Sequence, residues 1–68
     1  MNVKFAVALM KGEEETILGI FGTKEEADLF GTRNTVPHSD GLQYCFKAPF
    51  KNNKPVGNNI KIYNYYNI

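Results

Sequence analysis

Hydrophobic and polar residues alternate along the first ten positions. Val3, Phe5, Val7 and Leu9 interleave with Lys4, Ala6, Ala8 and Met10, a period of two that predicts a strand over residues 3–10 with one strong inner face. Residues 11–15 are polar and include Gly12, which predicts a turn, and residues 16–21 resume a β-branched, apolar run. Together the two runs predict an antiparallel hairpin. Ile17, Leu18, Ile20 and Phe21 are apolar at odd and even positions alike, so periodicity leaves open which pair of the second strand points inward.

The pattern then changes period. Thr23 and Glu26 have the spacing of a capping box, in which a hydroxyl serves the N3 amide and a carboxylate reaches back. Glu25, Glu26 and Asp28 fall in the first turns, where negative charge complements the helix dipole. Ala27 and Phe30 share one stripe with Leu29 beside it, and Gly31 weakens the run, so a helix of about ten residues should end near Arg33. Residues 34–41, with Pro37, Ser39, Asp40 and Gly41, read as loop.

The second half returns to alternation. Over residues 42–50, Leu42, Tyr44, Phe46 and Ala48 face one way and Gln43, Cys45 and Lys47 the other, with Pro49 marking a strand end or edge. Residues 51–56, with Asn52, Asn53 and Pro55, read as a hairpin loop. The last strand is expected over about residues 58–65, with Ile60 and Ile62 inward and Asn59, Lys61, Tyr63 and Tyr65 outward. The expected fold is a single ββαββ domain of the α+β class. It has one antiparallel sheet of about four strands and one helix packed on one face.

Length and composition narrow the function classes. Sixty-eight residues, 43% hydrophobic, make one small domain over residues 1–68 with little room for a deep pocket. Such a domain buries only about 60% of the surface its unfolded chain exposes, so a compact core or self-association must hold it. The single cysteine excludes an intramolecular disulfide framework and a Cys-rich zinc site. No apolar run approaches the ~20 residues of a membrane span, and no basic-then-apolar leader is evident, so a cytoplasmic setting with no membrane contact is expected.

The net charge of +1 hides an asymmetry. Residues 1–34 carry four bases against six acids, a net of −2, whereas residues 35–68 carry four lysines against Asp40 alone, a net of +3. Dispersed lysines with Arg33 as the one arginine make a thin footprint for phosphate binding. Asn, Lys, Ile and Tyr supply 24 of the 68 residues, and A/T-rich codons account for that bias without any selected role.

Candidate chemistry is sparse. Cys45, His38, Ser39 and Asp40 are the types a nucleophilic mechanism uses, yet neither Cys45 nor Ser39 sits in a nucleophile motif, and the alternation makes Cys45 a small hydrophobe. No catalytic residue is assigned. One Cys and one His fall short of a zinc site, and Glu13, Glu14 and Glu15 lack the spacing of a calcium loop, so neither metal nor cofactor is expected. Glu25 and Glu26 beside Gly22 disfavour phosphate at the helix start.

The C-terminal tyrosines carry the remaining signal. Tyr63, Tyr65 and Tyr66 beside Lys61 have three readings: an outer sheet face, a protein contact, or a platform that stacks bases while lysines meet phosphates. A partner surface is expected around Lys47, Lys61, Tyr63 and Tyr65. The stretches Ile20-Phe21-Gly22-Thr23-Lys24-Glu25-Glu26-Ala27 and Ile60-Lys61-Ile62-Tyr63-Asn64-Tyr65-Tyr66 resemble short accessory proteins of conjugative transposons in low-GC Gram-positive gut bacteria. That resemblance spans most of the chain, rests on structural motifs, transfers no functional residue and implies an intracellular accessory of a mobile element. The expected function is therefore a non-enzymatic interaction module, with a protein partner or a second copy of itself. The alternative is a weak single-stranded nucleic-acid binder.

Overall fold

The two alternating runs form β1 (Asn2–Lys11) and β2 (Glu14–Phe21) of a computed structural model that describes residues 2–57, 59–62 and 64–68. They pair antiparallel through the two-residue turn Gly12-Glu13. α1 (Lys24–Arg33) follows, then a 3₁₀ turn at His38–Asp40, β3 (Leu42–Lys51), β4 (Lys54–Pro55) and β5 (Ile60–Ile62). The architecture is α+β: one helix and one antiparallel sheet ordered β2-β1-β3-β4, with β5 also on β3.

β2 holds the answer that periodicity left open. Its register on β1 shifts between Val7 and Ala8, which oppose Gly19 and Ile17, so Leu18 is an extra residue in a β-bulge. The bulge resets the alternation. Ile17 and Ile20, three apart, both pack with Ala6, Ala8, Met10, Tyr44 and Phe46 on the far face of the sheet. Phe21 packs on the helix side with Phe5, Val7, Ala27, Phe30 and Cys45.

Both faces of the sheet are therefore buried at its centre, where one inner face was expected. Ala6 and Ala8 are as fully buried as Val7, while Val3, assigned inward, is 51% exposed. The reason is curvature: the strands wrap so that Tyr44, Phe46, Ala48 and Phe50 close a second core without a covering helix. α1 rests mainly on β1, β2 and β3. Hence Ile60, expected inward, is 61% exposed, while Ile62, opposite the buried Cys45, is half-buried.

The α1 boundaries match the expected ten residues. Thr23 accepts the Glu26 amide at 3.2 Å, and its hydroxyl donates to the Glu26 carboxylate at 3.1 Å. The return contact thus goes to the hydroxyl rather than to the Thr23 backbone. Thr23→Ala should lower stability by about 0.5–2 kcal/mol, read as a drop in the thermal midpoint followed by circular dichroism. An unchanged midpoint would remove the cap from the account of this helix.

The second half departs from expectation in two ways, while β3 ends at Lys51, one residue beyond its expected bound and two past Pro49. The Pro49 carbonyl accepts the Val56 amide, so the missing proline N–H faces the 54–56 segment and leaves the β1 ladder intact. Asn52 and Asn53 take φ of 53° and 63°, the two-residue turn that matches strand twist, which adds the short β4 to the expected four strands. The last strand is three residues long rather than about eight; Asn58 and Tyr63, within its expected span, lie outside the described residues.

Candidate functional site

Strand pairing decides which side chains share a surface. Lys61 pairs with Phe46, and Leu42 and Glu15 both pair with Met10, so all of them project from the far face. There, Met10, Leu42, Tyr44, Lys61 and Tyr65 line an open groove of about 100 Å³. Tyr44 forms its floor and is 5% exposed, whereas Leu42 and Tyr65 stand out at its rim. The Lys61 Nζ lies 5.1 Å from the Tyr44 ring centroid, a cation–π distance. The Tyr44 hydroxyl donates to the Glu15 carboxylate, and burial first, then that carboxylate, pushes the phenol well above its ordinary range. Tyr44 is thus a neutral donor at every physiological pH.

Of the four residues expected to form one partner surface, Lys61 and Tyr65 meet in this groove. Lys47 does not join them. It pairs with Ile60, one residue out of step with Lys61, and so projects from the helix side, 5.9 Å from the Phe5 ring centroid. Tyr63 lies outside the described residues. Met10, Leu42 and Tyr44 complete the groove, and neighbouring alternation in β1 and β3 was their only signal in the sequence.

A second constellation, on the helix side, fastens the chain's end. Asp28 accepts from Lys24 Nζ at 2.5 Å, from the Tyr66 hydroxyl at 2.6 Å and from Asn64 Nδ2 at 3.2 Å. Below it, the Tyr66 ring lies against α1 at Gly31, where a Cβ would overlap the ring. Asn67 Oδ1 accepts the Gln43 amide at 2.6 Å, and its Nδ2 donates to the carbonyls of Gly41 at 2.9 Å and Val36 at 3.3 Å. Gly41 adopts φ 128°, and a Cβ there would meet the Met10 carbonyl oxygen at 2.6 Å, so glycine is required on both counts. Gln43, fully buried, accepts the Val36 amide at 3.0 Å and donates to the Asn34 carbonyl at 3.1 Å. Residues 64–68 are thus a strap over the β3 edge, with Tyr65 on the groove side and Tyr66 on the helix side.

The strap has an electrostatic signature. The Lys24 hydrogen bond first, and that of Tyr66 second, hold the Asp28 carboxyl below its ordinary value of 3.8. A group with a depressed folded pKa adds stability that is complete above the unfolded value and is lost as pH falls through the folded one. Asp28→Asn should therefore lower the thermal midpoint at pH 7, and the gap from the parent should shrink as pH falls below the ordinary value of 3.8. A gap that stays constant with pH would mean that Asp28 acts through shape rather than charge.

The residue types that suggested nucleophilic chemistry are placed apart in character. Cys45 is fully buried beside Val7 and Ala27, and burial pushes its thiol above the ordinary value. His38, Ser39 and Asp40 form an exposed 3₁₀ turn. Among the described residues, no three His, Cys, Asp or Glu side chains come together as a metal site. No described helix is long and apolar enough to cross a membrane. Comparison of the chain with protein-family models, curated proteins and solved structures returned no match.

Proposed function

We propose that this chain is a non-enzymatic interaction module that takes a protein partner in the far-face groove and works as a cytoplasmic accessory of a mobile element. In this reading the ββαββ framework, with β4 as part of the last hairpin, is a scaffold that holds the groove open. The observation that carries the proposal is the composition of the groove: two tyrosines, Met10 and Leu42 around one lysine. Tyrosine and methionine supply contact area that adapts to a partner's side chain at low entropic cost. The Lys61 ammonium at the same surface, in the half of the chain with net +3, favours a partner segment that pairs an apolar side chain with a carboxylate.

The test is capture from a host lysate with nuclease present, comparing the parent with Leu42→Lys and Tyr65→Ala. A protein retained by the parent and lost from both folded variants supports the groove. The nucleic-acid alternative rests on Tyr65 and Lys61 as a stacking and phosphate pair, and salt separates it. Phosphate contacts weaken steeply with salt, so shifts of groove amides on adding an oligonucleotide that survive physiological salt would favour the alternative. Retention that is indifferent to the groove variants would remove the groove from the function.

A further inference from the structure

The two edges of the sheet are treated very differently. The outer edge of β3 is covered along nearly its whole length by the chain that follows it. β4 pairs with Phe50 and Lys51, the Val56 amide binds the Pro49 carbonyl, and β5 pairs with Cys45–Lys47. Beyond β5, the strap continues the cover: Tyr66 donates to the Gln43 carbonyl and Asn67 accepts the Gln43 amide. At the opposite side β2 ends the sheet, and among the described residues no strand pairs with its outer edge. Along Glu14–Phe21, alternate residues therefore direct backbone donors and acceptors outward, with no proline or lysine among them and only Glu14, Glu15 and the bulge at Leu18 to blunt the edge.

We propose that the outer edge of β2 is a self-association site at which a second copy of this chain adds its own β2, antiparallel, to make one continuous sheet across a two-fold axis. Charge selects the antiparallel arrangement. Glu13, Glu14 and Glu15 cluster at the start of β2, while the far end lies beside Lys4 on β1 and Lys24 in the first turn of α1. Parallel pairing would stack three glutamates on three glutamates. Antiparallel pairing avoids that repulsion: it sets each acidic turn against an end of the other copy where Lys4 and Lys24 balance Glu25 and Glu26, with Lys24 already paired to Asp28.

The bulge fixes a register that suits the two-fold axis. Because Leu18 is inserted, Ile17 and Ile20 share the far face. Setting Ile17 of one copy opposite Ile20 of the other joins these half-buried side chains across the axis and extends the apolar far face from copy to copy. The same register sets Thr16 opposite Phe21 on the helix side. A short chain without disulfides or metal gains most from such an extension. The groove at Met10, Leu42 and Tyr44 stays open in this dimer, so the inference stands independently of what the groove binds.

Sedimentation equilibrium on the full chain tests it, with circular dichroism to confirm folding. The parent should show a concentration-dependent shift toward twice the monomer mass. Leu18→Lys, which places a charge on the edge, should weaken that association by at least about tenfold while the chain stays folded. A second measurement covers the case in which that variant unfolds. Leu18→Cys should be captured as a dimer by a short bis-maleimide, whereas Leu29→Cys, exposed on α1, should not. A parent that stays monomeric up to about 1 mM, the weak end of specific association, overturns the proposal. So does a dimer that ignores Leu18→Lys and cross-links no better through position 18 than through position 29.

Discussion

Gln43→Met should cost about 2–4 kcal/mol, because it keeps the volume of the side chain and removes both hydrogen bonds to the loop that follows α1. Among the described residues, Gln43 is the one buried polar side chain, and it accepts from the Val36 amide and donates to the Asn34 carbonyl. The variant orphans a donor and an acceptor, each worth about 1–3 kcal/mol when left unpaired away from water, with Asn34 partly relieved by its exposure. At roughly 4–8 °C per kcal/mol for a domain of this size, the thermal midpoint should fall by at least about 8 °C. Gln43→Glu separates chemistry from shape. The ionised carboxylate still accepts from Val36 but cannot donate to Asn34, whereas the protonated form can do both. Burial raises a carboxyl pKa, so this variant should regain stability, relative to Gln43→Met, as pH is lowered. A Gln43→Met protein as stable as the parent would mean that water serves the loop equally well.

The second large effect carries an unusual sign. Gly31→Ala in an exposed helix interior stabilises by about 1 kcal/mol, because alanine is the better helix former. Here it should destabilise by about 1–3 kcal/mol, since the new methyl must displace the Tyr66 ring that lies on Gly31 and, with it, the strap. Displacement also takes the Tyr66 hydroxyl from Asp28. A double-mutant cycle isolates the cause: in a Tyr66→Ala background, Gly31→Ala should revert to stabilising by about 0.5–1 kcal/mol. Destabilisation of equal size in both backgrounds would place the strain in the helix itself rather than at the strap.

Neither contact is encoded in the residues adjacent to it in the chain. Alternation placed Gln43 with Cys45 on one side of β3, which is correct for the strand, but nothing local announces that its amide will serve a loop seven to nine residues earlier. Gly31 reads as a weak point in α1. Only its position one turn after Ala27, giving a flat stripe of small residues, hints that a ring lies against it. For the partner surface, a period of two relates side chains within one strand, but the relation of Lys47 to Lys61 depends on register between strands. Pairing Phe46 with Lys61 places the two lysines on opposite faces.

What the sequence determined by itself is local. The alternation of β1 and β3, the Thr23 cap and the extent of α1 follow from propensity, period and hydrogen bonds within a few residues, all of which a short window of the chain contains. The tertiary structure alone decided the rest: the bulge at Leu18, the second core on the far face, the strap over β3 and the place of β2 at the end of the sheet. Each depends on contacts between residues far apart in the chain, where register, curvature and close approach follow from packing the whole rather than from any window of sequence.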